Sequence, residues 1–170
     1  MTTVTQITKI LLIDNDPVAA NTILQALAAT DVLSFDVELV CELSQGLERL
    51  SKGGFAAILL ALSLPDSHGI ETFDKVFAAA PDVPILILGN GNEALAKEAV
   101  SHGAQDYLLP DHLEYSLPRA LRNAIERKAV EDALYLEKER AVVTLNSIGD
   151  AVLCTDISGT LPILISLQRR

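Results

Sequence analysis

Short apolar runs alternate with amphipathic segments over the first 110 residues. The apolar runs predict five strands, at residues 9–13, 35–41, 56–62, 84–88 and 105–109. The segments between them have apolar positions at helical spacing and predict four helices, at residues 17–29, 43–50, 70–80 and 93–102. Continuous apolar strands between helices are typical of a parallel sheet covered on both faces. We therefore predict an α/β, doubly wound sheet whose functional site lies where the strands end.

A longer helix is predicted at residues 117–142, because no glycine or proline follows Pro118 in this stretch. Ser116 can cap this helix, and Pro118 fits its first turn. The first half can pack on the sheet, but an apolar stripe continues beyond it. The stripe, interrupted at Glu137, consists of Val130, Ala133, Leu134, Ala141, Leu145 and Ile148. This pattern favours packing on another helix, hence a homodimer; a solvated linker helix is the alternative.

The composition is apolar yet acidic. Hydrophobic residues make up 49% of the 170 residues, and the net charge is -10. The apolar fraction excludes a disordered chain. Residues 1–118 carry 16 acidic and 5 basic side chains, so the acidity belongs to the predicted sheet domain. Because nucleic-acid binding needs a basic face, we expect no nucleic-acid partner.

The cysteines and the N-terminal sequence indicate in which cellular compartment the protein is expected. Cys41 and Cys154 have no metal-ligand spacing and form no disulfide framework, so buried thiols are expected. The N-terminus has no basic region and only a short apolar core, which argues against a signal peptide. No apolar stretch reaches the length of a membrane span. We expect a cytoplasmic protein without a membrane partner.

Four segments carry the residues at the predicted strand ends. They are LLIDNDP (11–17), AAILLALSLPDSHGIE (56–71), PILILGN (84–90) and GAQDYLLP (103–110). In this order and at these separations they resemble the receiver domain of two-component response regulators, over residues 7–128. The resemblance implies a flavodoxin-like fold with five parallel strands in the order 2-1-3-4-5. It also implies a phosphorelay signalling role with protein partners.

The resemblance implies specific chemistry at the strand ends. In that family an Asp after the third strand accepts a phosphoryl group, and magnesium is held by it and an acidic pair after the first strand. The corresponding positions here are Ala61, and Asp14 with Asn15. Alanine has no nucleophile, and a single carboxylate makes a weak magnesium site. We therefore expect no catalytic residue, no enzymatic activity, no cofactor, and no metal beyond a weak remnant at Asp14.

The switch positions of that family differ here as well. Its Ser or Thr after the fourth strand corresponds to Gly89, which has no hydroxyl group. Its switch aromatic corresponds to Tyr107, which we expect to be a packing or interface residue. Its phosphoryl-contacting Lys corresponds to Pro110, so the counter-charge is missing. These departures predict a non-phosphorylatable pseudo-receiver that acts by protein–protein interaction and dimerisation.

Two alternatives remain open. A surrogate carboxylate, Asp16 or Asp66, could accept the phosphoryl group, although the first reads as a helix N-cap and the second as a turn residue. A pseudo-receiver could instead bind a small ligand in the cleft at the strand ends. The three histidines share no ligand spacing and are expected at the surface; they are His68, His102 and His112.

The tail has a second resemblance. Residues 145–159 are similar to the opening of a PAS sensor domain, but the pattern stops after Thr160. We expect a linker helix at residues 129–142 and a truncated PAS-like fragment at 143–170. The chain would then be a truncated copy of a longer receiver–PAS protein. Two short apolar strands, at 151–155 and 160–167, are expected to form a hairpin.

Overall fold

The computed structural model describes residues 7–29, 34–89, 92–109, 113–147, 153–154 and 163–164. In chain order the strands are β1 (Ile7–Ile13), β2 (Ser34–Val40), β3 (Ala57–Ala61), β4 (Ser63–Leu64), β5 (Ser67–His68), β6 (Ile85–Leu88), β7 (Asp106–Leu108), β8 (Leu153–Cys154) and β9 (Ile163–Leu164). The helices are α1 (Pro17–Ala28), α2 (Leu43–Lys52), α3 (Ile70–Ala79), α4 (Glu93–Ser101) and α5 (Leu113–Ser147).

The main sheet has five parallel strands in the order β2-β1-β3-β6-β7. Counted among themselves, these strands have the order 2-1-3-4-5, so the flavodoxin-like prediction is confirmed. β4 and β5 form a small antiparallel pair around the turn at Pro65 and Asp66. β8 and β9 pair antiparallel within the two predicted tail strands.

Both faces of the sheet are buried under helices. Alternate residues of each strand point to opposite faces, so each strand contributes to both cores. Leu11 and Ile13 belong to a core shared with α2, α3 and α4. Ile10 and Leu12 belong to a second core shared with α1 and α5. All four side chains are fully buried. The two cores fix all five strands, and therefore fix where the strand ends meet.

Helix α5 is longer than the predicted 117–142 at both ends, and Ser116 is not its N-cap. It begins at Leu113 because Leu113 and Leu117 are both buried in the second core, which favours the additional turn. Pro118 lies inside the helix rather than in its first turn, so one backbone hydrogen bond is missing there. The helix ends at Ser147, within the segment expected to be PAS-like.

The chain divides into two compact units, residues 1–128 and residues 129–170. In the second unit, every side chain described from 129 to 143 is exposed. None of the helices in the described part of the chain is long and apolar enough to cross a membrane.

Cys41 is exposed, so the expected buried thiol is wrong for this residue. Strand β2 ends at Val40, and Cys41 lies in the bend before α2, where the sheet no longer covers it. The side chain of Cys154 lies outside the described part of the structure.

Candidate functional site

A cleft of about 470 Å³ opens at the carboxyl ends of the strands, where the sequence places the site. Of the predicted site residues, it brings together five: Asp14, Asn15, Ala61, Gly89 and Tyr107. The remaining predicted position, Pro110, lies outside the described residues. Part of the lining was not predicted. It comes from three helices and from the segment that follows β3, and it includes Ala19, Ile23, Leu62, Ser63, His68, Leu95 and Leu113.

Asp14 directly follows β1 and is only 5% exposed. Its backbone N–H donates to the carbonyl of Val40 at 3.0 Å, which ties it to the neighbouring strand. Its Oδ1 accepts a hydrogen bond of 2.9 Å from the N–H of Asp16. Burial raises the pKa of the Asp14 carboxyl, while the hydrogen bond from Asp16 opposes the rise. Asp14 is thus a buried carboxyl group that is positioned by local backbone hydrogen bonds.

Asp16 begins helix α1 as its N-cap, as predicted. Its Oδ1 accepts from the N–H of Val18 at 2.8 Å and from that of Ala19 at 3.4 Å. Pro17 occupies the first helical position, where its missing N–H costs no hydrogen bond. The acidic side chain therefore has a structural role at the rim of the cleft.

Ala61 is the last residue of β3 and lies in the middle of the sheet, next to β6. Its methyl group faces a cleft that Asp14 enters from the neighbouring strand. Among the described residues, no group of three or more His, Cys, Asp or Glu side chains is placed to hold a metal ion. The central strand of the sheet therefore ends in an aliphatic side chain at the cleft.

Gly89 and Tyr107 are packed against each other at the ends of β6 and β7. A Cβ atom on Gly89 would overlap the ring of Tyr107 and its hydroxyl oxygen. The ring thus occupies the space that any side chain at position 89 would need. The Tyr107 hydroxyl donates to the carbonyl of Asn92 at 3.4 Å. Tyr107 also packs against the first core.

Asp66 has a role that the sequence did not reveal. Its Oδ1 accepts from the N–H of Leu43 at 2.8 Å, and its Oδ2 from that of Ser44 at 2.9 Å. These hydrogen bonds cap α2 from a loop 22 residues or more away, and they lower the pKa of Asp66. Glu42, the residue before α2, makes no such capping bond. Asp66 is not part of the cleft lining.

The histidines divide between two settings. His68 is exposed, as predicted, yet it also lines the cleft. His102 directly follows α4 as its C-cap, and its Nδ1 lies 2.9 Å from Oδ1 of Asp74 on α3. His112 lies outside the described residues. The position of His68 at the cleft could have been predicted from the sequence, because His68 lies in the turn segment that follows β3 at the end of the strand.

Comparisons with known proteins agree with this geometry. The family model of the response regulator receiver domain matches residues 10–122. Regulatory protein LuxO of Vibrio cholerae is 34% identical over 101 residues, which cover 56% of this chain and 22% of LuxO. The chain spans about a quarter of the length of such curated relatives.

Two solved structures have the same fold. The signal receiver domain of an HD domain-containing protein from Pseudomonas fluorescens has a TM-score of 0.67 at 24% identity, covering 78% of this chain and 97% of that one. The receiver domain of sensor histidine kinase PA1611 from Pseudomonas aeruginosa has a TM-score of 0.61 at 25% identity, covering 70% and 98%, and was solved with magnesium in its active-site cleft. With more than half of its residues matched by the family model, the chain belongs to the response regulator receiver domain family.

Proposed function

We propose that this chain is a pseudo-receiver: a two-component signalling module that does not accept a phosphoryl group and acts by binding protein partners rather than as an enzyme. The observation that carries the proposal is Ala61, which lines the cleft at the end of β3, the central strand of the sheet. Because an acyl phosphate requires a carboxylate nucleophile, the central position has no group that could accept the phosphoryl.

The donor set also does not fit magnesium. Hard cations prefer several anionic oxygens, and Mg²⁺ demands near-octahedral geometry. The cleft offers the carboxylate of Asp14, the amide of Asn15, and Asp16, whose Oδ1 is engaged in capping α1. Only Asp14 therefore offers a carboxylate that is not already engaged in capping a helix. We therefore assign no phosphoryl-transfer step to this site.

The two candidate surrogate phosphoacceptors, Asp16 and Asp66, both cap helices. Both oxygens of Asp66 accept backbone hydrogen bonds at the start of α2, and Asp66 lies outside the cleft lining. Asp16 caps α1. If either carboxylate attacked a phosphoryl donor, it would have to give up its hydrogen bonds to a helix N-terminus. A surrogate phosphoacceptor is therefore the less favoured hypothesis.

The test is to incubate the full chain with acetyl phosphate and Mg²⁺ and to measure its intact mass. We expect no phosphoryl adduct, while a receiver with an intact phosphoacceptor Asp gains one under the same conditions. A one-phosphoryl gain that disappears in Asp14→Asn, Asp16→Asn or Asp66→Asn would contradict the proposal. The three variants would then identify the surrogate.

We also propose that the part of α5 beyond Lys128 is a linker helix through which two copies associate. Val130 and Leu134 are 68% and 67% exposed, so the predicted stripe is not covered within this chain's described residues. Residues four apart lie on one helical face, so both side chains can enter one helix–helix seam. Burying such side chains against a second helix is favourable.

The helix provides its own control for this association. Leu136 and Val143 are also apolar and exposed, but helical geometry places them away from the stripe. We expect Val130→Glu/Leu134→Glu to convert a dimer into a monomer in light scattering of the full chain. The matched pair Leu136→Glu/Val143→Glu should leave the dimer intact. A monomeric parent chain, or equal effects of the two pairs, would contradict the proposal.

A second candidate function is small-ligand binding in the strand-end cleft. Its volume of about 470 Å³ lies within the range of ordinary ligand pockets, and it combines aliphatic walls with the buried carboxylate of Asp14. Native mass spectrometry of the purified chain tests it: a retained small molecule that is lost on Ala61→Leu would favour this function.

A further inference from the structure

A second cleft, of about 440 Å³, lies at the opposite end of the sheet. It is formed by the first residues of β1, the loop that precedes β3, and one turn of α5. The seven residues of β1 separate it from Asp14 by roughly 20 Å, at about 3.3 Å per residue. It is therefore independent of the strand-end cleft and of the pseudo-receiver proposal.

Arg122 of α5 lines this second cleft and carries the inference. Its Nε is buried and has no hydrogen-bond acceptor among the residues that the structure describes. Because protein atoms cover Nε, a ligand in the cleft can meet only the outer part of the guanidinium, and the Arg122 side chain as a whole is only partly buried. The guanidinium is planar and matches a carboxylate, which can accept two parallel hydrogen bonds from it.

The other charged groups restrict which anion can bind. Lys9 is already engaged, because its Nζ lies 3.1 Å from Oε2 of Glu38 and 4.8 Å from the centre of the Phe55 ring. Glu126 follows Arg122 by one helical turn and lines the same cleft. Glu38 is shared with Arg49, so the three cations Lys9, Arg49 and Arg122 face two carboxylates, Glu38 and Glu126. This small positive excess suits a monoanion better than a dianion such as a phosphate monoester.

The walls of the second cleft are apolar. Phe55 is 9% exposed, Ile125 packs against the second core, and Ile7 is 69% exposed at the mouth. An apolar ligand body would cover Ile7 and contact the other two side chains. A cavity of this size that combines apolar side chains with a few charged groups is typical of sites for small molecules.

We propose that this cleft is a binding site for a small monocarboxylate with a compact apolar body. Its carboxylate pairs with the outer part of the Arg122 guanidinium, and its apolar part packs between Ile7, Phe55 and Ile125.

Benzoate is a suitable probe, and benzamide is its neutral counterpart. Both are titrated into the full chain at millimolar concentration while backbone amide chemical shifts are followed. We expect benzoate to shift the amides of Gly54, Phe55 and Ile125 and to leave those of Asn15 and Ala61 unchanged. Benzamide should bind at least about tenfold more weakly, since it lacks the charge. No shift with benzoate, or equal binding of benzamide, would overturn the proposal.

Substitutions on α5 separate a specific site from a general charge effect. Arg122→Gln should weaken benzoate binding by at least about tenfold, whereas Arg119→Gln removes the same charge from an exposed position of the same helix and should have little effect. Glu126→Gln should tighten binding by about threefold, because it removes a repulsive neighbour. That gain does not depend on how Arg122→Gln affects folding. Equal losses in the two Arg variants, or no gain in Glu126→Gln, would contradict the assignment.

Discussion

The two sides of the strand-end cleft differ in what fills them. On the β6–β7 side, Gly89 provides no side chain, and the ring of Tyr107 occupies the space. On the β1 side, the carboxylates of Asp14 and Asp16 are present and are satisfied by backbone N–H groups within three residues. The β6–β7 side is thus closely packed, whereas the polar groups of the β1 side are hydrogen-bonded only to neighbouring backbone. The packed side should therefore tolerate change poorly, and the polar side should tolerate it well.

The largest effect is expected at Gly89. Gly89 is not among the glycines with positive φ, so a side chain there causes no backbone strain, and the atoms nearest to its Cβ all belong to Tyr107. Gly89→Thr should lower the free energy of unfolding by about 1–3 kcal/mol, the usual cost of overpacking. Urea unfolding measures the change.

The control for Gly89 is the same substitution without the ring. In a Tyr107→Ala background the space is open, so Gly89→Thr should cost less than about 0.5 kcal/mol. The difference between the two backgrounds is the coupling energy of the pair. Equal costs in both backgrounds would show that the ring does not restrict position 89.

The fold was largely predictable because its signals are local. Apolar runs such as residues 56–62 are buried on both faces, and this double burial makes them recognisable in the sequence. The start of α5 was not predictable, because Leu113 joins the helix only through burial in a core built by distant residues. The exposure of Cys41 was missed for a related reason, since an apolar run does not show where a strand leaves the sheet.

The site was predictable in position but not in detail. The strand ends placed Asp14, Ala61 and Gly89 in one cleft. The cap that Asp66 provides to α2 joins residues 22 and 23 positions apart, and no local pattern encodes it. The close packing of Tyr107 on Gly89 likewise depends on the register between β6 and β7.

A smaller effect is expected at Asp16, on the polar side. Asp16→Ala removes the cap of α1 and should lower the free energy of unfolding by about 1 kcal/mol. Asp16→Asn is the matched control, because its amide oxygen can accept the same hydrogen bonds and Asn caps helices about as well. Thermal and urea unfolding compare the three proteins. A loss in Asn as large as that in Ala would show that the charge, rather than the hydrogen bond, matters.

The smallest effect, with the opposite sign, is expected at Asp14. Burial raises the pKa of this carboxyl in the folded state, so the folded protein binds its proton more tightly than the unfolded chain does. The charged form consequently destabilises the fold at neutral pH, and this penalty disappears as the pH falls through the folded pKa toward the ordinary value of 3.8. Asp14→Asn keeps an oxygen for the N–H of Asp16 without the charge.

Asp14→Asn should therefore be slightly more stable than the parent chain at neutral pH, and the advantage should shrink as the pH is lowered. The depressed pKa of Asp66 gives the opposite pH dependence, since its stabilisation is lost as the pH falls through its folded value, but it is common to both proteins and cancels in the difference. Unfolding free energies measured across the acid range give this difference directly. A less stable Asp14→Asn at neutral pH would show that the Asp14 charge has a stabilising partner, and the β1 side of the cleft would then be a built polar site rather than a locally satisfied one.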